Sequence, residues 1–178
     1  MKFTAILILA LAASCSIFGQ NARDLYMSLP EPMIKMTSEQ RTASITEDKG
    51  SLLELSLAGG SKGELKLVSS AKGETIVGLT VSSCDASELK FYSLKASKWS
   101  DVTARVIKPL GKSDVIEILK ASPAEISSLS EKIEIAYFYT FAADTTKLEL
   151  IARKQGSCDI AGRVYGYSFN GKRYDKDK

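Results

Sequence analysis

Histidine is absent from the 178-residue chain, and tryptophan occurs once. The first absence removes every Ser-His-Asp or Cys-His nucleophile and every imidazole metal ligand. Cysteine occurs three times and never as a CxxC pair, so no thiolate metal site or paired redox motif is spelled out. Four prolines and twelve glycines are too few for a disordered or collagen-like chain. Charge of one sign is missing too. Lysine and arginine number 24 against 21 acids, a net +3, which is no nucleic-acid signature. What is present suits one globular domain: 44% hydrophobic and 25% charged residues, enough for one core and short for two.

The first twenty residues, MKFTAILILALAASCSIFGQ, read as a leader. Lys2 precedes an apolar run from Phe3 to about Leu11, and Ser14, Cys15 and Ser16 end it. A spanning helix needs ~20 apolar residues, so this is an h-region of signal-peptide length. The sequence predicts a signal peptide over 1–20 and one exported β-rich domain over 21–178. Cleavage near Gln20 would release a soluble periplasmic or secreted chain. The alternative is lipidation at Cys15, which would make an outer-membrane lipoprotein and is the only route to a membrane. Ala12 is small for a lipobox, and Ile17 and Phe18 stand where a polar tether belongs. After cleavage Cys84 and Cys158 remain, an even pair in an exported chain and hence a disulfide candidate. Closing so long a loop adds about 4 kcal/mol in the chain-entropy model. Two separate buried thiols are the alternative.

Residues 21–36 carry apolar faces interrupted by Pro30 and Pro32, which predicts two short helices meeting near Leu29. Met27, Met33 and Met36 read as core filler, or as an adaptable groove for a partner. Residues 37–49 are polar with mixed charge and read as loop. From Ser51 the period is two. Leu53-Leu55-Leu57, Leu65-Leu67, Val77-Leu79-Val81 and Leu89 to Leu94 are strands at about ten-residue spacing, closed by Gly or Ser/Lys turns. Each has a polar face, so the meander is expected to be buried on one side and wet on the other. Trp99 is placed on a turn. Ser113–Ala121 fits helix or strand. Ser122-Pro123-Ala124-Glu125 is a capping box for a helix to about Ser130. Ile133 to Phe141 and Leu148 to Ala152 form a late hairpin, apolar enough on both faces for a central pair. Tyr165, Tyr167 and Phe169 form a last strand, and Asn170-Gly171 turns it back to Arg173 and Tyr174. The fold class is α+β, mainly antiparallel sheet with a few short helices.

Four stretches together resemble a domain-of-unknown-function family of small exported proteins of Bacteroidales and relatives. They are Ala22-Arg23-Asp24-Leu25-Tyr26-Met27-Ser28-Leu29-Pro30, Glu88-Leu89-Lys90-Phe91-Tyr92 with Trp99, Ala142-Ala143-Asp144 with Leu148-Glu149-Leu150, and Val164-Tyr165 to Asn170-Gly171-Lys172-Arg173-Tyr174. The resemblance implies an exported single domain of mixed strands and short helices. That family has no assigned activity, so it implies no catalytic residue.

Chemistry is sparse. Asp85, Asp144 and Asp159 sit singly in turns, with no calcium-loop spacing, and no cofactor is expected. Gly59-Gly60-Ser61-Lys62-Gly63 is too short for a phosphate loop and leads into a strand. Cys84 beside Asp85, or the carboxylate pairs Glu54/Glu64 and Glu134/Glu149, are the only material for a small hydrolase. Both carboxylate pairs sit where solvated strand faces are expected, with lysines alternating nearby, and that is the preferred account of them. The remaining feature is aromatic and basic: Tyr165, Tyr167, Lys172, Arg173 and Tyr174, with Trp99 apart. Such a patch fits a ligand surface, or sheet packing. The sequence therefore points to a non-enzymatic envelope binding or interaction module. Its partner would be an envelope protein or a glycan, not nucleic acid.

Overall fold

The computed structural model describes residues 20–84, 86–108, 110, 113–114, 135–154 and 160–177. The leader, the capping-box helix expected at Pro123–Ser130 and Cys158 lie outside them.

Three short helices open the described chain: α1 (Ala22–Ser28), α2 (Glu31–Ile34) and α3 (Ser38–Ser44). Asn21 caps α1, its Oδ1 accepting from the Asp24 amide. Pro30 ends the first helical stretch and leads into the second, as the prolines predict. The third helix falls in the stretch that reads as loop. Thr37 and Gln40 form a reciprocal capping box there, the Thr37 Oγ1 accepting from the Gln40 amide and the Gln40 Oε1 from the Thr37 amide. With so few apolar residues, α3 has no helical periodicity to detect. What fixes it is Arg41, buried among the ends of α1. Its guanidinium donates to the carbonyls of Tyr26, Met27, Leu29 and Met36, so one side chain satisfies the carbonyls that a helix C-terminus leaves open.

Strands β1 (Ile45–Asp48), β2 (Leu52–Ser56), β3 (Lys62–Ala71), β4 (Glu74–Ser82), β5 (Ser87–Lys95) and β6 (Lys98–Asp101) form an antiparallel six-stranded meander in chain order. The Gly59–Gly60 segment is the turn from β2 to β3, both glycines having positive φ. A short helix, α4 (Thr103–Val106), follows. Then β7 (Ile135–Phe141), β8 (Leu148–Lys154), β9 (Ile160–Phe169) and β10 (Tyr174–Lys176) form a second antiparallel sheet in the order β10-β9-β8-β7. The α+β class expected from the sequence is therefore the observed one. Among the described residues β7 ends its sheet. Tyr139 and Phe141 face the core shared with the first sheet, and Phe138 lies under the Arg153 guanidinium.

The six-stranded sheet is the middle of three layers. Leu53, Leu55, Leu65, Val77, Leu79 and Tyr92 pack with Leu25, Tyr26 and Leu29 beneath the helices. Leu52, Val68, Ile76 and Phe91 point the other way, into a core shared with Tyr139, Phe141, Leu148, Leu150, Tyr167 and Tyr174. This corrects the expectation of a one-sided sheet. Polar residues at alternate positions do not mark a wet face here, because Lys66, Thr80 and Ser93 are themselves buried between the sheets. The Lys66 Nζ donates to the Ala143 carbonyl at 2.6 Å and to Ser51 Oγ at 3.1 Å. Each buried leucine contributes about 1.5–3 kcal/mol, so two faces roughly double what a single-sided meander could gather.

Candidate functional site

Most of the aromatic-basic residues singled out in the sequence converge beside α4. Val106 and Ile107 are buried in the intersheet core, which pins α4 against the sheet and leaves Ala104 and Arg105 exposed. The Asp101 carboxylate accepts from the Thr103 amide, and Thr103 Oγ1 accepts from the Phe91 amide. Opposite, Asn170 shapes the β9–β10 turn. Its Oδ1 accepts from the Lys172 and Arg173 amides, an Asx turn that directs both cationic side chains outward. Tyr174 then pairs with Phe169, and Lys176 with Tyr167.

Between these elements lies a cleft of about 380 Å³, walled by α4, Tyr167, Tyr174 and the Arg173–Lys176 strand. Tyr167 and Tyr174 are 2% and 4% exposed. Phe91 and Phe169 each stand 5.3 Å from the Tyr174 ring, and Tyr165 stands 5.2 Å from the Tyr167 ring. The Tyr174 hydroxyl has no hydrogen-bond partner among the described residues, whereas the Tyr167 hydroxyl meets that of Tyr139. Burial drives both phenols far above the usual tyrosine range, so they stay protonated and able to donate. A second cleft of about 510 Å³ adjoins the first, lined by Lys72, Glu74, Lys95, Lys172 and other residues, and it shares Arg105 and Arg173 with it. Arg105 is paired with Glu74, and the Arg173 Nε donates to Asp175 at 2.9 Å.

The structure thus brings Tyr167, Arg173 and Tyr174 to one cleft and Lys172 to its neighbour. Tyr165 stands behind them, its ring 5.2 Å from the Lys176 ammonium. Trp99 does not join them. It lies on β6 and not on a turn, opposite Leu94, packed toward the helices on the other side of the sheet. Its hairpin turns through Ala96 and Ser97 at positive φ with no glycine, so the strand lacks the usual turn signal. Sequence reasoning also missed Arg105 and Lys108, because the stretch around α4 has no periodicity.

The methionine groove has a counterpart. Met33 and Met36 line a groove of about 480 Å³ between α2 and the meander, where the Tyr92 hydroxyl donates to the Met33 carbonyl. The carboxylate pairs fare differently from each other. Glu54 and Glu64 stand opposite in the β2–β3 register and share a cleft of about 330 Å³. Lys49 holds Glu54 below the usual carboxylate range, while burial raises Glu64. Both Glu64 oxygens are engaged by β7, through Thr140 Oγ1 and the Phe141 amide, each at 2.7 Å. Glu149 is paired with Arg163, and Glu134 lies outside the described residues. Among the described residues, no three His, Cys, Asp or Glu side chains gather to hold a metal, and no helix is long and apolar enough to cross a membrane.

The fold defines a two-sheet α+β domain with a basic cleft at one end. No protein-family profile matches the sequence, and no curated protein matches it. The fold is similar to a solved domain of an uncharacterized protein from Porphyromonas gingivalis W83, with a TM-score of 0.58 at 9% identity over 87% of this chain and 96% of that one. That likeness concerns the fold alone. An uncharacterized protein of this kind is consistent with the unknown-function family that the sequence resembles.

Proposed function

We propose that the chain is an exported, non-enzymatic binding module of the cell envelope, that its ligand surface is the cleft between α4 and the β9–β10 hairpin, and that the ligand is a glycan. The observation that carries this reading is the buried Tyr174 hydroxyl in the cleft wall, which has no partner among the described residues. A buried hydroxyl without a partner costs about 1–3 kcal/mol. Sugar hydroxyls both donate and accept, so an inserted sugar or its bridging water recovers that cost once the covering rim gives way. Exposed Arg173 and Lys172 supply donors at the edge.

Export rests on the leader over 1–20, with Cys15 lipidation as the membrane-attached alternative. A Cys84–Cys158 disulfide fits the same compartment. The Arg153 Nη1 donates to the Ser83 carbonyl at 2.7 Å, and Arg153 pairs with Ile160. The Arg153 side chain, from the β8 end of the stretch that holds Cys158, therefore reaches the residue before Cys84. A mass difference of two hydrogens on reduction would check the bond.

A hydrolase built on Glu54 and Glu64 is the second reading, favoured by their opposite environments. Cys84 is the other nucleophile considered, and it has no histidine to activate it. One experiment separates binding from hydrolysis. The purified chain is titrated with soluble envelope oligosaccharides by calorimetry, and the same mixtures are assayed for new reducing ends. Saturable heat without new ends is expected. New reducing ends that vanish in Glu64→Gln would establish the hydrolase; no heat with any oligosaccharide would overturn the glycan-binding reading.

A further inference from the structure

We propose that the two adjoining clefts form one trough for an acidic polysaccharide, a chain of sugars bearing carboxylate or sulfate groups. The inference rests on the glycan reading and names the ligand class.

The charge distribution leads to it. The two clefts share Arg105 and Arg173, so they adjoin across these two side chains. Their walls add Lys72, Lys95, Lys108, Lys172 and Lys176. Against these seven cations stand Glu74, Asp114 and Asp175. Among the described lining residues the surplus is four positive charges, beside a net +3 for the whole chain. Glu74 and Asp175 neutralise the two arginines, whereas the five lysines take part in no ion pair among the described residues. Like charges gathered along a groove raise the local concentration of anions and repel one another until an anion arrives.

Extent argues for a polymer. The cations do not converge on one point but run from the β3–β4 turn at Lys72 to β10 at Lys176. Each cleft, at about 510 and 380 Å³, falls in the ~300–1,000 Å³ range of ligand sites. Ring geometry argues against nucleic acid. Base stacking needs an open aromatic face. The Tyr167 and Tyr174 rings are packed against Tyr165, Phe91 and Phe169 and are almost fully buried, so neither offers an open face to a base.

The test measures binding of a length series of uronic-acid oligosaccharides, neutral hexose oligosaccharides of matched length, and a single-stranded oligonucleotide of matched charge. Titrations run at low and at physiological salt. The uronate series is expected to tighten with length until both clefts are spanned. It should weaken at least about tenfold at physiological salt and again in the exposed pair Lys172→Gln/Arg173→Gln. Lys35→Gln, on the opposite face, should leave affinity unchanged, and melting curves confirm that each variant folds. Equal affinity for the neutral series overturns the charge assignment while leaving the glycan reading intact. Tighter binding of the oligonucleotide overturns it in favour of nucleic acid. Binding to neither oligosaccharide series removes both readings.

Discussion

Glu64 shows how a residue on a strand surface becomes a tie between layers. Its carboxylate crosses from β3 to β7 and accepts from Thr140 and the Phe141 amide. Burial dominates its titration and raises the pKa above the ordinary 4.5. The fold therefore favours the protonated form. That contribution is complete below the unfolded pKa and is lost as pH rises through the folded one. As pH rises from 4.5 toward neutrality, Glu64→Gln is expected to flatten the decline in unfolding free energy, because an amide keeps the acceptor for Phe141 and cannot ionise. Denaturant midpoints across that range check it, and an unchanged slope would contradict it. Arg41 is the stronger case. Arg41→Met should cost about 1–3 kcal/mol, read by urea denaturation, since the carbonyls of Met27, Leu29 and Met36 lose the guanidinium donor while Tyr26 keeps the Leu29 amide. Arg41→Lys should recover little, because an ammonium cannot reproduce the planar fork. Nothing in a single arginine among polar neighbours announces such a role, which is why the segment reads as loop. By contrast, Tyr167, Arg173 and Tyr174 were legible as a patch, because strand periodicity and the Asn-Gly turn fix their neighbourhood.

Elements were legible where side-chain period and turn chemistry coincide. The leucine alternation in β2 and β3, the glycines before β3 and β4, and the prolines between α1 and α2 each encode geometry locally. Layering was not. Whether a strand buries one face or two depends on what covers it, and Lys66 and Thr80 look solvated until β7 is in place. Gly78 records the close approach. A Cβ there would meet the Phe141 ring and stand 2.8 Å from Phe91 Cε1. Gly78→Ala is expected to destabilise by about 1–3 kcal/mol by forcing two core rings apart, seen as a lowered thermal midpoint. Thr37→Ala, which removes one half of the α3 capping box, should cost about 1 kcal/mol. The smaller loss belongs to an exposed cap, the larger to the intersheet core. A reversal of that order would show that the helical layer, not the sheet pair, holds the domain together.

For the whole molecule, the three layers leave the clefts at one end and the methionine groove on the other side of the meander. Stability and binding make opposite demands on the cleft floor. Tyr174 packs well through its ring, yet its hydroxyl is buried with no partner among the described residues. A domain shaped only for stability would carry phenylalanine there. Tyr174→Phe isolates that one oxygen while keeping the ring contacts with Phe91 and Phe169. Unfolding free energy and oligosaccharide affinity would be measured on the same pair of proteins. The account predicts a variant as stable as the parent or more stable, by up to about 1 kcal/mol, that binds the ligand several-fold more weakly. A variant that loses stability with its affinity unchanged would mean that the hydroxyl serves the fold alone, and the cleft would cease to be the site.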